Sequence, residues 1–144
     1  MAHVYVSTVL DTPIDKVWEA VRDFGALMNW HPAVKDSSIE GGEPGDKVGC
    51  IRKLILPDGG AIREKLLSIS DEERSFSYSI LESPMPIENY VSTFRLREIT
   101  DGGRTFAEWH SEFDVAPENE KAMVELVAGP IYQDGFDSLK VGIN

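Results

Sequence analysis

Four side chains able to take part in proton transfer recur along the middle of the sequence: Arg52, Glu64, Tyr78 and Tyr90. Each falls in a segment of alternating apolar and polar residues, a pattern that predicts a β-strand. Because successive residues of a strand point to opposite faces, each strand divides into two sets. The four side chains belong to the sets rich in apolar residues, so we expect all four to face the protein interior.

The turns between these segments predict how the strands align. In an antiparallel hairpin, two residues face each other when their midpoint falls in the turn between the strands. The midpoint of Arg52 and Glu64 falls at Asp58. The midpoints of the next two pairs fall at Asp71 and Pro84. The sequence therefore predicts one lateral row of four side chains across four neighbouring strands.

Such a row has two interpretations. Burying a carboxylate and a guanidinium costs on the order of several kcal/mol each unless they are paired or solvated. The first interpretation is a structural ion pair with hydrogen-bonded tyrosines nearby. The second is the lining of a polar cavity, in which Glu64 is the acid or base and Arg52 stabilises an anionic oxygen. The two tyrosines would then orient the substrate or donate protons.

Three further aromatic side chains are candidates for the lining of that cavity. Phe94 belongs to the same inward set as Tyr90, and Trp30 and Trp109 are also candidates, although core packing explains the tryptophans equally well. The candidate catalytic residues are Glu64 and Arg52, and the candidate substrate-binding residues are Tyr78, Tyr90, Trp30, Phe94 and Trp109.

The elements that position these residues follow an α+β pattern. Strands are predicted at 3–10, 35–40, 48–56, 61–69, 74–82, 88–99 and 104–114. Their short connections from the second strand onward exclude helical crossovers and predict an antiparallel meander. This sheet has more surface to cover than the predicted helices provide, so we expect it to curl around the last helix and leave a cavity.

The helices are predicted at the two ends of a single domain that covers 1–144. One short helix runs from an N-cap at Thr12 to Gly25, and a second covers 26–30. A long C-terminal helix begins at Pro117, extends to Ile143 and is kinked by Pro130.

Composition and charge narrow the function classes. The net charge of −11, from 25 acidic and 14 basic residues, disfavours binding to nucleic acid and to anionic membranes. No apolar run approaches the roughly 18 residues needed to span a bilayer, and the N-terminus lacks the features of a signal peptide. Cys50 is the one cysteine, which fits a reducing compartment. We expect a cytoplasmic protein whose partner is a small molecule; no pattern indicates an oligomeric state.

No metal and no cofactor are expected. His3, His31 and His110 lack the spacing of metal ligands. The glycine-rich stretches at 41–49 and 57–60 are typical of hairpin turns and lack the pattern of a phosphate-binding loop.

Three short segments carry a family resemblance: Asp15–Trp18, Trp30–Val34 and Val48–Arg52. They resemble the START-like, SRPBCC superfamily of birch-pollen-allergen-type folds. Four segments carry a closer resemblance: Gly49–Arg52, Arg63–Leu66, Ser77–Tyr78 and Glu88–Tyr90. They resemble the polyketide cyclase/dehydrase branch of that superfamily, which includes the plant lachrymatory factor synthases. Leu81–Pro86 departs from the plant pattern at the predicted rim, so the plant substrate is not carried over.

The resemblance implies a helix-grip fold, with a seven-stranded curved antiparallel sheet wrapped around a long C-terminal helix. It also implies that the catalytic arginine and glutamate of the family correspond to Arg52 and Glu64, and its pocket tyrosines to Tyr78 and Tyr90. The implied function is a cofactor-independent isomerase, lyase or cyclase that acts by proton transfer in an internal cavity. The alternative is a non-catalytic binding or transport protein for a small hydrophobic metabolite.

Overall fold

The computed structural model describes residues 1–142. The strands are β1 (Ala2–Leu10), β2 (Asp36–Ile39), β3 (Ile51–Ile55), β4 (Ala61–Ser70), β5 (Ser75–Glu82), β6 (Ile87–Ile99) and β7 (Arg104–Val115). Helix α1 (Ile14–Val21) and a 3₁₀ helix (Phe24–Asn29) follow β1. The C-terminal helix comprises α2 (Pro117–Leu126), a π-helical segment (Val127–Gln133) and α3 (Asp134–Gly142). Ile143, to which this helix was predicted to extend, lies outside the described residues.

The strands form one antiparallel sheet in the order β1-β7-β6-β5-β4-β3-β2. Consecutive strands from β2 to β7 are neighbours, and β1 pairs with β7. The sheet is curved and accompanied by a C-terminal helix of 26 residues, so the predicted α+β helix-grip architecture is confirmed. None of the described helices has the length and apolar character needed to cross a membrane.

The alternation that predicted the strands also separates the inside of the sheet from the outside. Along β7, Thr105, Ala107, Trp109, Ser111 and Phe113 are buried, whereas the residues between them are more accessible. Such alternation is typical of a sheet with one face on the core and the other in solvent.

The start of the first helix differs from the prediction. Pro13, not Thr12, occupies the N-cap position of α1, and no side chain caps its first turn. Thr12 is buried, and its carbonyl accepts a hydrogen bond of 2.7 Å from Thr105 Oγ1 on β7. This contact between distant segments fixes the chain before α1 in place of a local cap.

The predicted kink in the C-terminal helix takes the form of its π-helical segment. Pro130 lies inside that segment. A proline has no N–H group to donate to the preceding turn, and its ring crowds the carbonyl four residues earlier. A local widening of the helix relieves both constraints without ending it.

The strand register agrees with the prediction at one pair and differs at the next two. Arg52 faces Glu64 across β3 and β4, as predicted. On β5, however, Tyr78 faces Leu66 of β4 and Ser92 of β6.

The reason is that the pairs next to Tyr78 are centred one residue further along the chain than predicted, at Glu72 and Met85, with two register shifts in the β4–β5 pairing. A shift of the turn centre by one residue moves each partner by two, which keeps every side chain on its predicted face. Glu64, Tyr78 and Tyr90 are therefore diagonal neighbours instead of direct ones.

Helix α3 lies close to the sheet at Gly135. A Cβ atom at this position would lie 3.0 Å from His31 Cδ2 and 3.1 Å from Trp109 Cζ3. Neither ring is free to move away, because His31 is hydrogen-bonded at both nitrogens and Trp109 stacks on Tyr132 with the ring centroids 4.4 Å apart. Because glycine has no side chain, the helix can lie this close to the aromatic core.

We expect Gly135→Ala to destabilise the protein. Overpacking of a dense core costs about 1–3 kcal/mol, which outweighs a gain of about 0.5–1 kcal/mol in helix propensity. Gly129→Ala is the matched control, because a Cβ there meets no atom within 4 Å. Urea denaturation should show a lower free energy of unfolding for Gly135→Ala alone; equal values for the two variants would contradict the close approach.

Candidate functional site

A cavity of about 360 Å³ lies between the inner face of the sheet and the C-terminal helix. Six buried residues of its lining carry polar groups: His31, Arg52, Glu64, Tyr78, Tyr90 and Trp109. The rest of its wall is mainly apolar, with Leu54, Ile62 and Ile80 from the strands and Leu126 and Ile131 from the helix. A few polar groups in an apolar enclosure are typical of a small-molecule site.

Three turns or segments contribute the exposed rim of the cavity. Pro57 and Asp58 come from the β3–β4 turn, Pro84 from the β5–β6 turn and Pro130 from the π-helical segment. Met85, which is half-buried, lies beside Pro84. The rim therefore combines three prolines with one flexible side chain.

The deepest polar element is the ion pair of Arg52 and Glu64, whose residues are 3% and 6% exposed. Arg52 Nε and Nη2 each lie 2.7 Å from Glu64 Oε1. Arg52 Nη1 donates to the carbonyl of Phe24 at 3.2 Å, and the guanidinium carbon lies 3.8 Å from the centroid of the Phe24 ring. Hydrogen bonds and a cation–π contact thus compensate for the desolvation of the arginine.

The pair retains unused hydrogen-bonding capacity. Two of the five guanidinium N–H groups form hydrogen bonds, Nε to Glu64 and Nη1 to Phe24, and Nη2 adds a close ionic contact to Glu64 Oε1. At least one N–H group on Nη1 and one on Nη2 therefore remain available. Glu64 Oε2 receives no hydrogen bond from the described part of the chain. Because both residues line the cavity, they offer a bound molecule a charged acceptor beside charged donors.

The two predicted tyrosines belong to a buried network of hydroxyl and indole groups. Trp109 Nε1 donates to Tyr78 Oη at 3.2 Å and to Ser92 Oγ at 3.1 Å. Ser92 Oγ lies 2.8 Å from Tyr132 Oη, and the hydroxyls of Tyr132 and Tyr90 share a short hydrogen bond. The network joins the sheet to the π-helical segment behind the cavity wall.

Burial raises the pKa of all three phenols of this network. The pKa of Tyr78 is raised mainly by burial and further by the charge of Glu64. Burial likewise raises the pKa of Tyr90 and Tyr132 well above the ordinary value. All three are therefore neutral at physiological pH and act as hydrogen-bonding groups, not as phenolate bases.

His31 fastens the loop after the 3₁₀ helix to the C-terminal helix. Its Nδ1 accepts a hydrogen bond of 3.1 Å from the Ala33 amide, so Nε2 carries the proton and donates to the Ile131 carbonyl at 2.6 Å. Burial lowers the pKa of His31, against the opposing effect of the bond to Ile131. His31 is therefore neutral, and it connects the loop to the C-terminal helix at the edge of the cavity.

The structure brings five of the seven predicted site residues to the cavity: Arg52, Glu64, Tyr78, Tyr90 and Trp109. The other two, Trp30 and Phe94, pack in the aromatic core, with their ring centroids 6.2 Å apart. Neither is among the described residues that line the cavity.

Three residues of the site were missed by sequence reasoning. Ser92 lies in the same inward set as Tyr90, so strand alternation could have found it. Tyr132 and His31 lie on a helix and in a loop, where no such alternation exists. Only the packing of these segments against the sheet reveals their contacts.

No arrangement suited to a metal ion is found within residues 1–142, where no three His, Cys, Asp or Glu side chains cluster appropriately. Cys50 is buried, and burial raises the pKa of its thiol, which disfavours the reactive thiolate. The buried polar groups that line the cavity are instead those of the ion pair, the tyrosines, Trp109 and His31.

The sequence matches the family described as polyketide cyclase / dehydrase and lipid transport over residues 1–141. No curated protein matches the sequence.

Several solved structures are similar over nearly the whole chain. The protein XoxI from Bacillus cereus is 31% identical, with a TM-score of 0.88 over 99% of this chain and 96% of that one. An uncharacterized protein from Bacillus thuringiensis is 32% identical, with a TM-score of 0.85 over 96% of both chains. A protein from Nitrosospira multiformis is 28% identical, with a TM-score of 0.84 over 99% of this chain and 97% of that one.

We expect Arg52→Met to destabilise the protein by about 3–5 kcal/mol, because the Glu64 carboxylate would remain buried without its partner. Adding Glu64→Leu removes that charge, so the double variant should be more stable than Arg52→Met alone. Guanidinium denaturation of the three proteins measures both effects. A double variant less stable than the single one would show that the pair itself stabilises the fold.

The neutral state of His31 predicts a pH dependence of stability. Because its pKa in the folded state lies below the ordinary 6.5, the unfolded chain takes up the proton first as the pH falls. The free energy of unfolding should thus be at its full value above about pH 6.5 and decrease below it. His31→Gln, whose amide can also donate to Ile131, should show a flatter profile between about pH 7 and 5 in stepwise denaturation. An unchanged slope would assign the effect to other groups.

Proposed function

Because this chain belongs to the polyketide cyclase/dehydrase and lipid transport family, we propose that it is an enzyme that transfers protons on a small, mainly apolar molecule without a cofactor. The observation that carries this proposal is the asymmetric use of Glu64. Arg52 occupies Oε1 twice, while Oε2 is left without a protein partner on a residue of the cavity wall. A carboxylate held at one oxygen and open at the other is suited to act as a positioned base.

The roles of the two charged residues follow from this geometry. Glu64 Oε2 takes a proton from a C–H group of the substrate. Return of that proton to another carbon completes an isomerisation, its delivery to a departing group completes an elimination, and its delivery to a carbonyl oxygen that the new carbanion attacks completes a cyclisation. The free N–H groups on Arg52 Nη1 and Nη2 stabilise the oxyanion that develops when the proton leaves. Proton transfer of this kind needs neither a metal nor an organic cofactor.

The dimensions and lining of the cavity favour a compact substrate. A volume of about 360 Å³ matches a molecule of one or two rings, and the apolar wall favours a hydrocarbon body with its polar group directed to the ion pair. An isomerase or lyase reaction, as the resemblance to the lachrymatory factor synthases suggests, is consistent with this arrangement.

A second candidate is a carrier of a small hydrophobic metabolite. It is favoured by the predominance of apolar residues in the cavity wall and by the family description, which includes lipid transport. In a carrier, the ion pair would anchor the polar end of the cargo and no proton would be transferred. Direct measurement of proton exchange separates the two candidates.

The test uses 2-tetralone, a two-ring ketone with acidic C–H groups, in deuterated buffer. We expect the protein to accelerate exchange of these hydrogens, as followed by proton NMR. Glu64→Gln should slow the protein-dependent exchange by about 100-fold or more, because the amide oxygen can still accept from Arg52 but cannot act as the base. Binding of 2-tetralone to the variant, measured by calorimetry, should persist.

Glu82→Gln is the matched control, since Glu82 is an exposed carboxylate that also pairs with an arginine, Arg63. It should leave the exchange rate unchanged. Saturable binding of 2-tetralone with exchange no faster than in buffer would overturn the enzyme and favour the carrier. Exchange that survives Glu64→Gln would remove Glu64 from the mechanism.

A further inference from the structure

The direction of each hydrogen bond in the buried network can be assigned. Ser92 Oγ lies 3.1 Å from the His110 carbonyl oxygen, which can only accept, so the single Ser92 proton is directed there. Ser92 Oγ then accepts from Trp109 Nε1 at 3.1 Å and from the Tyr132 hydroxyl at 2.8 Å. This assignment alone satisfies all of these contacts together.

The same logic fixes the proton of Tyr90. Since the Tyr132 proton is used on Ser92, the hydrogen bond between Tyr132 and Tyr90 must use the Tyr90 proton. Tyr90 lines the cavity, yet its O–H group is directed to Tyr132. Toward a bound molecule, the oxygen of Tyr90 therefore acts only as an acceptor.

Tyr78 differs from Tyr90 in that its hydroxyl can donate a hydrogen bond to a bound molecule. Its oxygen accepts from Trp109 Nε1 at 3.2 Å. The hydroxyls of Ser92 and Tyr90 are near enough to influence the pKa of Tyr78, but within residues 1–142 neither lies at the distance and angle of a direct hydrogen bond that would take its proton. The rings of Tyr78 and Tyr90 are neighbours in the cavity wall, with centroids 6.1 Å apart. One oxygen of a ligand can thus receive the Tyr78 proton and direct its own proton to Tyr90.

We infer that Tyr132 sets the hydrogen-bonding polarity of the cavity, so that the site selects a molecule with a hydrogen-bond donor for Tyr90 beside an acceptor for Tyr78, as in a phenol or a hydroxy ketone. Tyr132 is a positioning residue, because it does not line the cavity and acts through Tyr90. The inference rests on the proposed function only in placing the ligand in this cavity; it does not require Glu64 to transfer a proton.

The test compares two probes of nearly the same shape. 2-Naphthol offers both a donor and an acceptor, whereas 2-tetralone offers an acceptor alone. Calorimetric titration of the parent protein should show tighter binding of 2-naphthol. In Tyr132→Phe, Tyr90 loses its acceptor and can turn its proton toward the ligand. The ratio of the 2-naphthol Kd to the 2-tetralone Kd should then rise about tenfold, which corresponds to one hydrogen bond.

A second variant should also release the Tyr90 proton toward the ligand, but without changing Tyr132 itself. Ser92→Ala/Ser111→Ala removes the acceptor of Tyr132 together with the buried Ser111 hydroxyl, the other hydroxyl group close enough to Tyr132 to influence its pKa. Tyr132 is then free to donate to Tyr90, which again releases the Tyr90 proton toward the ligand. The Kd ratio should change in the same direction as in Tyr132→Phe.

Tyr5→Phe is the control, because the Tyr5 hydroxyl lies on the outer face of the sheet, where it donates to Glu108 at 2.7 Å. It should leave the ratio unchanged. Thermal melting of each variant confirms that it is folded. Three results would overturn the inference. Tyr132→Phe could weaken the binding of both probes equally, the Kd ratio could change in the opposite direction in the double variant, or the parent protein could show no preference for 2-naphthol. Because only equilibrium binding is measured, loss of the Glu64-dependent exchange would leave this result standing.

Discussion

The buried ion pair of Arg52 and Glu64 constrains the alignment of the strands that carry it. A shift of β3 against β4 by one residue would turn Arg52 to solvent while Glu64 stayed on the inner face of β4. The buried carboxylate would then lose the guanidinium that compensates for its desolvation, which makes that alternative costly. The pair therefore specifies the register of this hairpin in addition to supplying the charges of the cavity, and Phe24 extends its influence to the 3₁₀ helix.

The opposite wall depends on the π-helical segment. Two consecutive residues of this segment, Ile131 and Tyr132, form hydrogen bonds to groups outside the helix: the Ile131 carbonyl to His31, and the Tyr132 hydroxyl to Ser92 and Tyr90. One contact holds the loop at the edge of the cavity, and the other orients the polar groups of the wall. A single irregularity in the C-terminal helix thus contributes both to the shape and to the polarity of the site.

The fold and the ion pair could be predicted from the sequence because strand alternation and a compact symmetric turn are local properties. The positions of Tyr78 and Tyr90 were predicted on the correct face but in the wrong register, since a bulge and a displaced turn centre leave no distinct trace in the residue pattern. Tyr132 could not be predicted, because a π-helical turn changes which way the following side chains point. His31 depends on a contact 100 residues away along the chain.

The prolines at the rim allow the mouth of the cavity to change in sequence independently of its interior. Pro57, Pro84 and Pro130 have a fixed backbone angle, so the mouth has little conformational freedom to lose when a molecule is bound. They also lie in turns and at a helix irregularity, apart from the strand positions that hold the ion pair. Residues around the mouth, such as Met85, can therefore vary and admit molecules of a different shape, while the ion pair of Arg52 and Glu64 keeps its geometry. The choice of bound molecule and the polar groups that it meets are, in this fold, separable traits.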